Sequence, residues 1–203
     1  MQLSKDEKDR QGLATDHSTF EADLIARAQE GDRGAFAELV RRHYAGVTGV
    51  VYRLCGDAHL AEDAAQEAFI QAWLHLPEYR PRAPLRNWLY RMAVNAALDA
   101  LRKEKQVSPM DLEDLPLADP QPDPEDRSLG EERARLVQEA VNSLPTASRA
   151  VLVLREYERL SYQEIGEALD IPVGTVMSRL NYARGLLREK LEEQLYPLEV
   201  EHV

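Results

Sequence analysis

The sequence predicts an all-α protein of two small helical domains, joined by a flexible acidic linker, with a helix-turn-helix at the end of the second domain. Three observations support this fold class. Apolar residues recur every three or four positions, as they do in amphipathic helices. Aromatic residues make up only 6 % of the chain, and no long stretch alternates apolar and polar residues as a strand does. A segment rich in proline and acidic residues separates two blocks of helical periodicity.

The first domain is predicted to span residues 19–105 and to follow a disordered polar leader, residues 1–18. Its first helix begins near Phe20 and ends at Gly31-Asp32, because glycine interrupts helices. A second helix runs from there to Gly56-Asp57. The inner stripe of this second helix consists of Phe36, Leu39, Val40, Tyr44, Val47, Val51 and Leu54.

The third and fourth helices are predicted to carry faces of opposite charge. The third runs from about Leu60 to Leu76, and its outer face is acidic and rich in amides. The fourth starts near Leu85, within a segment (80–105) where seven basic residues oppose two acidic ones, a local net charge of +5. A basic helix with Trp88 and Tyr90 predicts a nucleic-acid surface. The alternative is a solvated helix face whose aromatic residues belong to the core.

Residues 106–130 are predicted to form the linker. Five prolines exclude a continuous helix, and seven acidic residues face a single base, Arg127. This composition is typical of an extended or disordered tether. The second domain then spans residues 131–195, and residues 196–203 form a tail.

The end of the second domain has the pattern of a helix-turn-helix. Ser161 and Glu164 have the spacing of a capping box at the start of one helix. Asp170 and Pro172 interrupt that helix, and a second apolar stripe of Val173, Val176 and Leu180 follows. Two helices joined by a tight turn fit the major groove of DNA. The same pattern also occurs in all-α proteins that do not bind DNA, so on its own it leaves both interpretations open.

Several classes of function find no support in the sequence. Cys55 is the only cysteine, which excludes an intrachain disulfide, and the five histidines lack the spacing of metal ligands. We therefore expect no catalytic residues, no metal and no cofactor.

The leader does not resemble a signal peptide and no apolar run reaches the length of a membrane helix, so we expect a cytoplasmic protein without membrane insertion. The net charge of −11 does not exclude DNA binding, which depends on the local field.

Separate blocks of the sequence, in the following order, resemble a known family. Residues 63–73 (DAAQEAFIQAW) are similar to a polymerase-docking helix, and residues 86–95 (RNWLYRMAVN) to a promoter-melting segment. Leu144-Pro145, residues 161–166 (SYQEIG) and residues 172–176 (PVGTV) are similar to the last domain of the same proteins. With these blocks the chain resembles the bacterial extracytoplasmic-function (ECF) sigma factors of RNA polymerase.

The resemblance implies a role for particular residues. Asp63, Gln66 and Glu67 would dock on the clamp coiled coil of the polymerase β′ subunit, and the β flap is a further implied contact on core RNA polymerase. Four residues would read the −10 element of promoter DNA: Arg86, Asn95, Asp99 and Arg102. Seven residues of the recognition helix would lie at or near the −35 element: Thr175, Met177, Ser178, Arg179, Asn181, Tyr182 and Arg184.

The resemblance also has limits that bear on specificity and regulation. Some relatives carry Arg at the place of Met177 and Phe at the place of Asn181, so we expect this chain to prefer a different −35 sequence. The linker would run towards the RNA exit path, where it could mimic transcript or serve as an inert tether. Family members are commonly held by an anti-sigma factor, and the sequence does not tell whether this chain has one.

Two other functions are compatible with parts of the sequence. An autonomous transcription regulator could use the same helix-turn-helix, but it would not need the docking motif or the basic fourth helix. An enzyme of nucleic-acid metabolism would need a metal cluster, a glycine-rich phosphate loop or a nucleophile with its base, and the sequence offers none of these patterns. The resemblance therefore favours an initiation factor that binds core polymerase, reads both promoter elements and nucleates strand opening.

Overall fold

The computed structural model describes residues 19–81, 83–107 and 129–195, and within these segments every regular element is helical. The helices are α1 (residues 19–29), α2 (Arg33–Cys55), α3 (Ala58–His75), α4 (Leu85–Val107), α5 (Leu129–Asn142), α6 (Thr146–Glu156), α7 (Tyr162–Leu169) and α8 (Val173–Leu195), with a short 3-10 helix (Leu76–Glu78) between α3 and α4. The all-α prediction is confirmed. The predicted leader and tail, and the linker from residue 108 to residue 128, lie outside the described residues.

Two glycine–aspartate pairs end one helix and begin the next, as predicted. Gly31 and Gly56 have φ angles of 96° and 76°, in the left-handed region that favours glycine. Asp32 then caps α2 by accepting hydrogen bonds from the amides of Gly34 and Ala35. Asp57 caps α3 by accepting from the amide of Leu60. The carboxylate caps satisfy amides that have no partner within the first helical turn.

The first domain packs α2, α3 and α4 against one another. Helix α3 contributes small residues to this core: Ala61, Ala64, Ala65, Ala68 and Ala72 are all buried. Because these side chains are short, the neighbouring helices can approach α3 closely. Tyr44 was predicted to lie on the inner stripe of α2, and this is wrong: its side chain is 53 % exposed and stacks on Phe69 of α3.

The second domain is built around α6, whose residues from Ser148 to Leu154 are all buried. Helix α7 adds Ile165 and Ala168 to the core. Helix α8 adds the regularly spaced Val176, Leu180 and Ala183. Val173 was predicted to belong to the same stripe but is exposed, because it lies at the first residue of α8, outside the packed turns.

The two domains are packed against each other, and their buried residues form one continuous apolar cluster. Helix α2 contacts α5 and α6, and α4 contacts α7. At the first of these contacts a Cβ on Gly56 would lie 2.2 Å from the side-chain nitrogen of Asn142, and the left-handed φ of 76° also favours glycine at this position. The sequence did not predict this contact, since the pattern of a helix shows which face is buried but not which helix covers it.

Arg149 is the buried cation at this junction. Its guanidinium donates hydrogen bonds to the carbonyl of Leu54 in the first domain and to those of Asn142 and Leu144 in the second. The C-terminal turns of α2 and α5 therefore accept hydrogen bonds from the same guanidinium. Burial lowers the pKa of Arg149 from its usual value, although such a group keeps its proton.

We expect Arg149→Met to lower the free energy of unfolding by about 2–3 kcal/mol, because buried carbonyls would lose their donors. Urea unfolding should be followed by far-UV circular dichroism and by tryptophan fluorescence. Both tryptophans lie in the first domain, at Trp73 and Trp88, so the two signals should separate if the variant uncouples the domains. The matched control is Arg188→Met, which removes an exposed guanidinium of α8. Equal midpoints for the two variants would contradict the assigned role of Arg149.

Candidate nucleic-acid interface

The helix-turn-helix consists of α7 and α8, and its capping box forms as predicted. The Ser161 hydroxyl accepts from the amide of Glu164, and the Glu164 carboxylate accepts from the amide of Ser161 at 2.8 Å. Asp170 ends α7 in the left-handed conformation, with φ 55°. A Cβ on Gly166 would lie 2.9 Å from the carbonyl oxygen of Ile171, so a side chain at this position would push the turn open. These contacts fix the angle between the two helices.

Helix α8 presents a polar face opposite its buried stripe. Met177 and Tyr182 are 48 % and 55 % exposed, and Ser178 and Asn181 are exposed beside them. Thr175 and Arg179 lie at the edge of this face and are half-buried. The predicted −35 residues from Thr175 to Tyr182 are therefore brought together on one accessible surface.

Arg184 differs from the other predicted −35 residues. Its guanidinium forms an ion pair with Glu156 at the end of α6, at 2.6 Å, and this contact raises the pKa of Arg184. Arg184 is thus held against its own domain in this structure. To contact DNA as predicted, Arg184 would have to break its ion pair with Glu156 and bind a phosphate instead.

Helix α4 carries the predicted −10 residues on its solvent side. Asn95, Asp99 and Arg102 are exposed and lie at spacings of four and three, and Arg86 is exposed at the start of the helix. Asp99 and Arg102 form an ion pair at 2.8 Å. The structure therefore places Asn95, Asp99 and Arg102 on one face, with Arg86 more than two turns away.

Three further α4 residues contact the second domain. Asn87 is only 1 % exposed; its side-chain nitrogen donates to Glu164 at 3.2 Å, and its side-chain oxygen has no partner. Arg91 forms an ion pair with Asp170 at 3.4 Å. For Tyr90 the sequence left open a nucleic-acid face or the core; the ring is buried and its hydroxyl donates to Glu158. Asn87, Arg91 and Asn95 follow one another at intervals of four, so the sequence alone indicates that they share one face of the helix.

Helix α3 exposes the predicted docking residues Asp63, Gln66 and Glu67. The same face continues with two apolar residues that the sequence interpretation did not include. Ile70 and Leu74 are 52 % and 60 % exposed and follow at helical spacing. Two exposed large apolar residues thus adjoin the charged cluster on one face of α3.

No metal-binding cluster of three or more His, Cys, Asp or Glu residues occurs within the described segments. Cys55 is half-buried beside Arg149, and burial raises the pKa of its thiol to about 11, which keeps it protonated. None of the described helices is long and apolar enough to cross a bilayer.

Comparison with known protein families assigns both domains. Residues 39–107 match the model of Sigma-70 region 2, and residues 134–187 match that of Sigma-70 region 4. The chain is 36 % identical over 179 residues to the ECF RNA polymerase sigma factor SigW of Bacillus subtilis, covering 83 % of this chain and 95 % of SigW. It is 35 % identical over 184 residues to the ECF RNA polymerase sigma-E factor of Escherichia coli K12, covering 83 % and 93 % of the two chains.

Two solved structures with a similar fold are of complexes. CnrH, in complex with the cytosolic domain of CnrY, is 25 % identical with a TM-score of 0.64, and the match covers 85 % of this chain and 97 % of CnrH. The sigma factor RpoE of Bartonella quintana, in complex with the anti-sigma factor NepR, shares the fold with a TM-score of 0.64 at 22 % identity, over 77 % of this chain and 96 % of RpoE.

The capping box makes a prediction about pH. Hydrogen bonds from Ser161 and then Asn87 lower the pKa of Glu164. A carboxylate with a lowered pKa stabilises the fold at neutral pH, and this contribution is lost as the pH falls below the usual Glu value of about 4.3. Glu164→Gln keeps the capping acceptor but does not ionise. We therefore expect wild type to lose more unfolding free energy than Glu164→Gln between pH 7 and about pH 3.

Urea unfolding at the two pH values provides the measurement for this prediction. Glu167→Gln, one turn later on the exposed side of α7, is the matched control and should follow wild type. If Glu164→Gln has the same acid dependence as wild type, the hydrogen bonds to Glu164 do not contribute as described.

Proposed function

The chain belongs to the ECF sigma factors, which direct promoter-specific transcription initiation by RNA polymerase, and we propose that it reads its promoter with two separate faces. One face is the exposed polar stripe of α4, and the other is the exposed face of α8. The observation that carries this proposal is that each domain presents one such face on a helix matching the family model. An autonomous regulator would not account for the match of the first domain.

The exposed face of α3 is the proposed docking site for core polymerase. Asp63, Gln66 and Glu67 supply negative charge and amides for the β′ clamp coiled coil. Such charges set the orientation and rate of association more than its affinity. Ile70 and Leu74 extend the face with apolar area that would be buried on docking. The second domain would meet the β flap.

The exposed stripe of α4 is the proposed reader of the −10 element. When the strands separate, base edges and faces that the duplex hides become available for hydrogen bonds and stacking. Asn95 offers an amide, and Arg102 offers a guanidinium that is held by Asp99 until a phosphate or base replaces it. Arg86 lies near the start of the helix and would contact the strand further along.

The exposed face of α8 is the proposed reader of the −35 element in the major groove. Thr175, Ser178, Asn181 and Tyr182 have polar groups that can reach base edges or phosphates, and Arg179 and Arg184 can bind phosphates. Met177 has only an apolar thioether on this face. It cannot form the bidentate guanine contact of an arginine.

In the proposed role the protein performs no covalent chemistry of its own and acts in the cytoplasm together with core RNA polymerase. A regulatory partner comparable to those of the similar sigma factors is part of the proposal. A groove of about 780 Å³ between the domains is a suitable place for it. The groove is lined by Tyr44, Tyr52, Tyr157 and Val137, with Arg53 and Arg133 at its margin.

Run-off transcription with purified core polymerase and a genomic promoter library tests the function directly. We expect factor-dependent transcripts whose mapped starts share two upstream elements. The variant Asp63→Lys/Glu67→Lys should weaken binding to core polymerase at least about tenfold, since each tenfold change requires only about 1.4 kcal/mol. Glu30→Lys, an exposed charge reversal at the end of α1, is the control and should transcribe normally. Absence of any factor-dependent product would refute the function.

Met177→Arg tests the −35 assignment. A new bidentate contact should favour guanine at the facing position by about 1–3 kcal/mol, roughly a 5- to 150-fold change in preference. Promoters randomised in the −35 element and sequenced after run-off transcription would measure this. Met177→Ala is the matched control, because it removes the same thioether without adding a donor. An unchanged preference in Met177→Arg would show that position 177 does not face a base.

A further inference from the structure

The α4 connection, residues 79–81 and 83–84 between the 3-10 helix and α4, is closed by one tyrosine. Tyr79 begins this connection and is only 6 % exposed. Its hydroxyl donates to the carbonyl of Ala83 at 2.7 Å, and its ring packs on Trp88 with 5.1 Å between the ring centroids. One side chain therefore ties the start of the connection both to its far end and to the first turn of α4.

A glutamine of α1 holds the other side of the same connection. The side-chain nitrogen of Gln29 donates to the carbonyls of Leu76 and Tyr79, both at 2.9 Å. Both N–H groups of this amide are thus used. The backbone amide of Tyr79 in turn donates to the carbonyl of Leu76 at 3.0 Å. The path of the chain into α4 is therefore fixed by a side chain of α1 as well as by local turns.

The residues above this network lie at the surface. Four of them are exposed, in the connection and in the first turn of α4: Arg80, Pro81, Pro84 and Arg86. The guanidinium of Arg80 adds further hydrogen bonds, to the carbonyls of Pro77 and Tyr79, at 3.2 Å each. Proline fixes its own φ, which restricts the backbone further. The α4 connection is thus an exposed, basic and preformed surface beside the proposed −10 reader.

The proposed −10 face extends along α4 towards this connection. Arg86 and Asn95 are about 13 Å apart along the helix axis, at 1.5 Å per residue. A separated strand that contacts both residues reaches the first turn of α4, where the connection enters the helix. A flexible surface adapts to many ligands, whereas a preformed surface rejects those that do not fit. A fixed connection therefore favours discrimination between bases.

We infer that Gln29 and Tyr79 are positioning residues for the −10 element, because they hold the α4 connection in the shape in which it and Arg86 meet the separated strand. This inference rests on the proposed function in taking α4 as the −10 reader. Both side chains donate to backbone carbonyls, so they act through the shape of the connection and not by contact with DNA. All of these groups belong to the first domain, so the network does not require the second domain.

The test measures selectivity for the −10 element rather than activity alone. Run-off transcription by the full-length protein and core polymerase is compared on the mapped promoter and on templates with single-base substitutions in its −10 element. At limiting factor concentration, the ratio of the two rates cancels any loss of folded protein, which lowers both rates equally. Tyr79→Phe removes only the hydroxyl and keeps the ring on Trp88. Gln29→Met keeps a side chain of similar length and removes both donors.

We expect each variant to lower the preference for the mapped −10 sequence about three- to tenfold, which corresponds to the loss of roughly one hydrogen bond. The matched control is Val51→Ala, which removes buried atoms from α2 and lowers stability but leaves the connection intact. Its ratio should equal that of wild type, and thermal unfolding compares the stability of all three variants. A wild-type ratio in Tyr79→Phe or in Gln29→Met refutes the role of that residue, and an equal loss in Val51→Ala refutes both.

A failure of this inference can be told apart from a failure of the proposed function. Asn95→Ala and Arg102→Ala remove exposed groups of the proposed reader, outside the network, and should lower transcription from the mapped promoter. If they do so while Tyr79→Phe and Gln29→Met keep the wild-type ratio, only the positioning role is wrong. If Asn95→Ala and Arg102→Ala both keep the wild-type rate and ratio, α4 does not read the −10 element, and that part of the proposed function is wrong.

Discussion

The guanidinium of Arg149 connects the two halves of this protein. It donates to the carbonyl of Leu54 near the end of α2 and to carbonyls at the end of α5, so one cation serves the C-terminal turns of two helices. A positive charge at a helix C-terminus is favoured by the partial negative charge of the unpaired carbonyls. Within the described residues no carboxylate pairs with Arg149, and its buried charge is tolerated because strong backbone acceptors surround it. Their positions depend on α2, α5 and α6 meeting at this point.

The junction of the two domains combines apolar packing with polar contacts. Within the first domain, short alanine side chains of α3 allow close helix packing, and within the second, α6 is almost wholly buried. Between the domains, the buried apolar residues form one shared cluster. Beside this cluster, Asn87 and Arg91 of α4 contact Glu164 and Asp170, and the Arg91–Asp170 pair is open to solvent. An exposed ion pair adds little to stability, so the junction depends mainly on the apolar cluster and on Arg149.

The sequence predicted the elements much better than their mutual contacts. Helix ends could be predicted because their contacts are local. The caps at Gly31-Asp32, Gly56-Asp57 and Ser161–Glu164 involve only residues a few positions apart in the sequence. The place of Tyr90 stayed open in the sequence, because an aromatic residue on a basic helix suits a DNA surface and the core equally well. Asn87 and Arg91 were overlooked as a continuation of the Asn95 stripe. Their partners, about eighty residues further along the chain, have no sequence signal that periodicity could reveal.

Carboxylates lie next to basic residues on both helices that are proposed to bind DNA. Asp170 pairs with Arg91 on α4, and Glu156 pairs with Arg184 on α8. A surface of unpaired cations binds nucleic acid through phosphates without sequence preference. Because each carboxylate lowers the positive field beside its partner, a phosphate has to displace it, and base contacts then carry a larger share of the binding free energy.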